Sequence, residues 1–176
     1  LPSSRSELRE LGLTPGSDSI LAVERMEEIR LTLERKRGTL PEPTSGGSVA
    51  NTADLLARAG ISCGFMGVGG NDTFGRLFVA NCERASLKFL SELEEGAVTG
   101  YDFYLYDEDD RRTIILTQGA NALLSPARID LEAIHGSELV LLDGIALSFG
   151  PESETAVVRC VQAAEGRATP LGFPGG

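Results

Sequence analysis

The residues with the most chemical promise stand together in one run, TSGGSVANTADLLARAGISCGFMGVGGNDTFG, at residues 44–75. Gly46 and Gly47 leave the backbone open to close approach and to positive φ, and Ser48 stands where a helix cap belongs. Asn51 falls on the first turn of the helix that follows. A helix start offers unpaired N–H groups and the positive end of the dipole, so a hydroxyl-rich or anionic small molecule suits the position. Asn adds a donor and an acceptor in one side chain, which suits a hydroxyl. Asn at a helix start also serves as a plain cap, and that is the competing structural role.

Other chemistry is poorly supplied. The three cysteines, Cys63, Cys82 and Cys160, are odd in number, widely spaced and without a CxxC pair, which fits reduced thiols in an intracellular protein rather than a disulfide framework. His135 is the only histidine, so a zinc site has little to be built from and no metal ligands are expected. Its place at the end of a predicted helix, before Gly136, is explained by the dipole or by exposure. The net charge of −10, the 6% aromatic content and the lack of Trp oppose phosphate-backbone binding and base stacking, so no nucleic-acid partner is expected. The acidity means a solvated surface, or docking on a basic partner in an assembly. No apolar run approaches the length of a membrane span and the N-terminus has no apolar signal core. The expected compartment is intracellular: the cytoplasm, or an organelle after removal of a transit peptide.

The elements that must position these residues read as α/β. The 176 residues, 41% hydrophobic and 24% charged, allow one domain with a sizeable core. Residues 4–11 predict a short helix ended by Gly12, Ser17 or Asp18 a cap, and residues 21–37 an amphipathic helix ended by Gly38. Pro41 and Pro43 deliver an extended segment to Gly46. A helix at 48–59, capped by Ser48 and stopped at Gly60, leads into an apolar run at 61–66 that reads as a strand buried on both faces. Asp72 caps a helix at 73–85. Residues 98–106 and 113–117 form a hairpin around DEDDRR, an exposed turn with no catalytic role, metal binding there being a minor alternative. Tyr101, Phe103 and Leu105 give it a more apolar face, suited to a lid or an interface. Ser125-Pro126 opens a helix to about His135, residues 137–144 give a second buried strand, and 151–165 a last helix. Residues 168–176 read as an irregular tail, too rich in Gly and Pro for a sheet.

The runs GGSVANTADLLARAG and GFMGVGGNDTFGRLF together resemble the N-terminal signature of the PfkB, or ribokinase-like, family of carbohydrate and nucleoside kinases. They combine a GG-x-x-x-N turn into a helix, a strand and a G-x-x-G-x-D-x-x-G loop in that family's order. LRELGLTPGSDSILAVERMEEI is similar to the adenosine-kinase-like branch, DEDDRRTIILTQGAN to the lid strand and SELVLLDGIAL to the strand after it. The resemblance implies a ribokinase-like sandwich with a small β lid at 98–117, within one partial domain over 1–176. It implies that Gly46, Gly47 and Asn51 contact hydroxyls of a sugar or nucleoside, that the glycine pair is the hinge of the lid, and that Gly67, Gly70, Asp72 and Gly75 shape the second loop.

The resemblance also implies ATP and Mg2+ as cofactors, but the residues for them depart from the family pattern. No apolar strand carrying the family's substrate-holding Asp precedes Ser6, and no GAGD-type motif, P-loop or G-x-G-x-x-G occurs. The expected fold is therefore incomplete, with the first strand and C-terminal half missing, no catalytic residue is assigned, and binding of ATP by this chain is in doubt. Two readings follow: the N-terminal and lid portion of an ATP-dependent sugar or nucleoside kinase, or a noncatalytic kinase-like subunit of a larger complex. Exposed sheet edges covered by other protein chains, and limited stability without them, are the matching expectations.

Overall fold

The computed structural model describes residues 1–171 and divides the chain into two units, one of Leu1–Pro43 with Gly100–Gly119 and one of Thr44–Thr99 with the segment from Ala120 onward. The part of the predicted tail at residues 172–176 lies outside the described residues.

In the first unit, α1 (Arg5–Glu10) starts where the Ser4 hydroxyl accepts the Glu7 N–H, and Gly12, at φ 70°, turns the chain away. The predicted cap at Ser17 or Asp18 is instead the start of β1 (Asp18–Ile20), and α2 (Val23–Arg37) begins later, at Ala22, without a side-chain cap. Three residues were too few for a periodicity to register; their strand exists because β5 supplies a partner. That partner belongs to the hairpin of β4 (Tyr101–Tyr106) and β5 (Arg112–Thr117), which pair antiparallel, Tyr101 opposite Thr117, while β1 joins β5 in parallel. Phe103 and Leu105 face inward and Tyr104 and Tyr106 outward, the alternation read from the sequence. Leu8, Met26, Ile29 and Leu33 pack on Leu105 and Ile115 to make this unit's core.

The second unit opens with α3 (Ser48–Arg58). Its N-cap is Gly47, with no side-chain cap, so Ser48 lies inside the helix rather than before it. The predicted strand at 61–66 shortens to β2 (Gly64–Phe65), paired in parallel with β3 (Lys88–Phe89), a strand the sequence reading lacked. Ile61 is 53% exposed, so this run is not buried on both faces. Between the two strands, α4 (Thr73–Arg84) packs Phe78 and Cys82 onto Phe65, Phe89 and Ala53.

The predicted helix from Ser125 to His135 is broken. Pro126–Arg128 makes one 3₁₀ turn, Ile129 is extended, and Asp130 caps the separate α5 (Leu131–His135) by accepting the Ala133 N–H. An Asp three residues before a free N–H competes with helix continuation. β6 (Val140–Asp143), half-buried rather than buried, pairs in parallel with β7 (Ala168–Leu171), so the first part of the predicted irregular tail is a strand. Pro170 costs a donor there, which an outer strand tolerates. α6 (Pro151–Ala163) joins the two and packs Cys160 on Ile134. Among the described residues, no helix is long and apolar enough to cross a membrane.

Candidate functional site

Gly46, Gly47 and Asn51 come together at the start of α3. Gly47 sits at φ 96°, in the region that favours glycine, and its carbonyl accepts the Asn51 N–H at 2.9 Å. A Cβ added at Gly46 would meet nothing within 4 Å, so the space beside it is open to an approaching group. The Asn51 side chain is exposed and, among the described residues, makes no hydrogen bond, so it does not cap the helix and its donors and acceptor face solvent.

Beside this turn lies a cavity of about 200 Å³, lined by Asn51, Ser45, Asp54, Arg58, Phe78 and Asn81 among others. Asn81 donates to the Ser45 hydroxyl at 2.7 Å, tying α4 to the segment that leads into the glycine pair. Asp54 accepts Arg58 Nε at 2.8 Å and Nη2 at 3.1 Å. The Arg58 guanidinium holds the Asp54 carboxyl below its ordinary value, and Asp54 raises Arg58 in turn. None of Ser45, Asp54, Arg58 and Asn81 was singled out in the sequence. The i, i+4 spacing of Asp54 and Arg58 was a readable signal for their pair. Nothing local connects Ser45 to Asn81.

The second loop is organised by one carboxylate. Asp72 caps α4 by accepting the Gly75 N–H at 2.8 Å, and it also accepts the Thr99 N–H at 2.8 Å and the Thr99 hydroxyl at 2.7 Å. Burial alone would raise its pKa, but the N–H groups of Gly75, Thr99 and Phe74 and the Thr99 hydroxyl outweigh burial and hold it below the ordinary carboxylate value. Gly70 donates to the Thr99 hydroxyl oxygen at 2.9 Å, and Asn71 N–H to the Glu94 carbonyl at 2.8 Å. Added Cβ atoms at Gly70 and Gly75 would lie 2.0 Å from the backbone oxygens of Ala97 and Gly70, so both positions need glycine. At Gly67 the nearest atom would be the ring edge of Phe65, a side chain that can move. Gly67 borders a separate groove of about 310 Å³ with Ser91, Glu92, Ile129 and Asp130.

The hairpin turn holds a built cluster of a different kind. Asp107 is buried, accepts Arg5 Nε at 2.8 Å and Arg111 Nε at 3.3 Å, and takes the N–H groups of Asp109 and Arg111. These bonds are spent on the protein itself. Among the described residues, no group of three or more His, Cys, Asp or Glu side chains is placed to hold a metal ion.

Known proteins resemble the chain over most of its length. Residues 16–173 match the family described as pfkB family carbohydrate kinase. A 5-dehydro-2-deoxygluconokinase of Shouchella clausii is 30% identical over 133 residues, 73% of this chain and 40% of that protein. The crystal structure of adenosine kinase from Sinorhizobium meliloti superposes with a TM-score of 0.81 at 21% identity, covering 97% of this chain and 51% of that one. A putative ribokinase II from E. coli, solved with ATP and Mg2+, gives 0.62 at 20% identity over 76% of this chain and 45% of its own. The chain thus spans about two fifths of its curated relative and about half of its solved neighbours.

Proposed function

The chain belongs to the pfkB family of carbohydrate kinases and carries a ribokinase-like α/β fold, and on that premise we propose that it holds the sugar or nucleoside to which an ATP-dependent kinase transfers phosphate. Gly46, Gly47 and Asn51 receive the hydroxyls, Gly67, Gly70, Asp72 and Gly75 shape the neighbouring loop, and residues 98–117 serve as a lid. The observation that carries this reading is the exposed, unbonded Asn51 amide beside an open glycine turn at a helix start.

ATP and Mg2+ supply the phosphoryl group and its charge neutralisation in this family. The residues present do not fit them: no carboxylates converge as metal ligands among the described residues, and the sequence has neither a P-loop nor a GAGD-type motif. No transfer step is therefore derived from this chain, whose part is to bind and orient the acceptor.

Calorimetric titration with 5-dehydro-2-deoxygluconate, ribose and adenosine tests the reading. The expected outcome is measurable binding of at least one sugar that Asn51→Ala weakens. Heat of binding for none of them, or binding indifferent to Asn51, would falsify it.

A further inference from the structure

Resting on the reading of the turn at residues 46–51 as the place where the phosphate acceptor is held, we propose that Asp54 is a further specificity-determining residue there: its carboxylate takes a pair of adjacent hydroxyls, and the site thereby selects a neutral sugar over a sugar acid. Asn51, Asp54 and Arg58 stand at i, i+3 and i+7 on α3, which puts them on one face of the helix, and all three line the cavity beside the turn. Phe78, Asn81 and Cys82 of α4 line it from the other helix. Asp54 follows Asn51 by three residues, a rise of about 4.5 Å along the helix, so one small ring can reach both side chains.

The carboxylate has capacity to spare. Arg58 gives one N–H to each of its oxygens, Nε to Oδ2 at 2.8 Å and Nη2 to Oδ1 at 3.1 Å. An ionised carboxylate oxygen has two lone pairs, so each keeps one, and among the described residues no other donor takes it. The two-pronged contact also fixes the plane of the carboxylate before any ligand arrives. Arg58 is the more exposed partner, its side chain at 54% against 33% for Asp54, so the carboxylate is the inner half of the pair. Its charge is felt on the opposite helix: burial first, and then Asp54, push the Cys82 thiol up. An exposed pair of this kind adds little to stability, so sharing the carboxylate with a ligand costs the fold little. The rest of the lining sets the direction of selection. Among the described residues, Asp54 and Arg58 are the only charged side chains on the cavity, and Asn81 already gives an amide N–H to the Ser45 hydroxyl. A polyol meets the Asp54 oxygens with O–H donors, whereas a carboxylate brings acceptors only and a second negative charge beside Asp54.

The test is calorimetric titration of the full chain with ribose and glucose and with the corresponding acids, ribonate and gluconate. The wild type is expected to bind at least one neutral sugar about tenfold more tightly than its acid, and Asp54→Asn to weaken that sugar about tenfold and bring the two within about threefold of each other. Arg58→Gln breaks the same ion pair but leaves the carboxylate, so it is expected to keep the preference for the neutral sugar. Equal losses of preference in the two variants would show a pair that only steadies α3 and overturn the proposal. An acid that binds as tightly as its parent sugar, drawn by the open Nη1 of Arg58, overturns it too. Should Asp54→Asn not fold, Asp54→Glu carries the test: it keeps the charge and displaces it, so weaker binding of the neutral sugar supports the contact and unchanged binding overturns it. Failure of every sugar to bind the wild type sinks the proposed function and this inference together, while binding that Asn51→Ala weakens and Asp54→Asn does not removes this inference alone.

Discussion

Asn51 and Asp72 sit at the starts of successive helices and do opposite work. Asn51 spends nothing on the fold, so Asn51→Ala is expected to leave the melting temperature unchanged and to lower sugar affinity by up to about tenfold, the worth of one net hydrogen bond, as read by calorimetry. Asp72 spends everything on it. Asp72→Ala removes a cap and strands the Thr99 N–H, so it is expected to cost about 1–2 kcal/mol in urea unfolding at neutral pH. Because the folded state depresses this carboxyl, its contribution is full above the ordinary carboxylate value and fades as pH falls through the lowered one. The gap between wild type and variant should therefore stay level above about pH 5 and close below about pH 4. Asp72 was legible as a cap because Gly75 lies within one helical turn of it, and Asn51 because it stands on the first turn of a helix behind a glycine pair. Thr99, Ser45 and Asn81 were not, since each finds its partner dozens of residues away and no local pattern announces the pairing.

The same contrast runs through the elements. Helices with their own punctuation, such as α1 between Ser4 and Gly12 or α4 after Asp72, were readable nearly to the residue, and so was the hairpin, whose alternation is local. β1, β3 and β7 were not. Each is two to four residues long and exists only through a parallel partner elsewhere in the chain, so propensity had nothing to act on. The acidic turn was misjudged for a related reason: composition marked DEDDRR as solvated, yet Asp107 is buried between Arg5 and Arg111. Arg5 first, then the N–H groups of Arg111 and Asp109, outweigh burial and hold its carboxyl far below the usual range. Removing one partner of such a cluster leaves buried charge and N–H groups unmet. Asp107→Ala is expected to lower the melting temperature and to speed amide exchange at Thr113 and Leu105, and, unlike the Asp72 effect, to persist at pH 3. Unchanged exchange in the hairpin would show that α1 does not hold it.

At the scale of the whole chain, the fold divides into two units with separate cores, a division invisible in the sequence because the first is assembled from Leu1–Pro43 and the distant Gly100–Gly119. Separate cores mean separable stability. Leu8→Ala, at a fully buried position, is expected to cost the first body about 2–5 kcal/mol. By exchange mass spectrometry, protection should fall in α2, β4 and β5 but not in α4 or β6, and an equal loss everywhere would mean one cooperative unit instead. The second body carries a further consequence. Among the described residues its two sheets are parallel pairs of two strands each, whereas parallel sheets are ordinarily larger and covered on both faces. Leu55, Ile61 and Leu139 are more than half exposed, and Val158 and Val161, one turn apart on α6, nearly so. This chain alone is therefore expected to bind the dye ANS in its folded state. Substituting Val158 and Val161 by Lys should reduce that fluorescence without lowering helix content, because neither side chain contributes to the core built from Ile134, Cys160 and Ala164. Absence of dye binding by the folded wild type would mean that these apolar groups are covered in solution, and sedimentation would then show whether a second copy covers them.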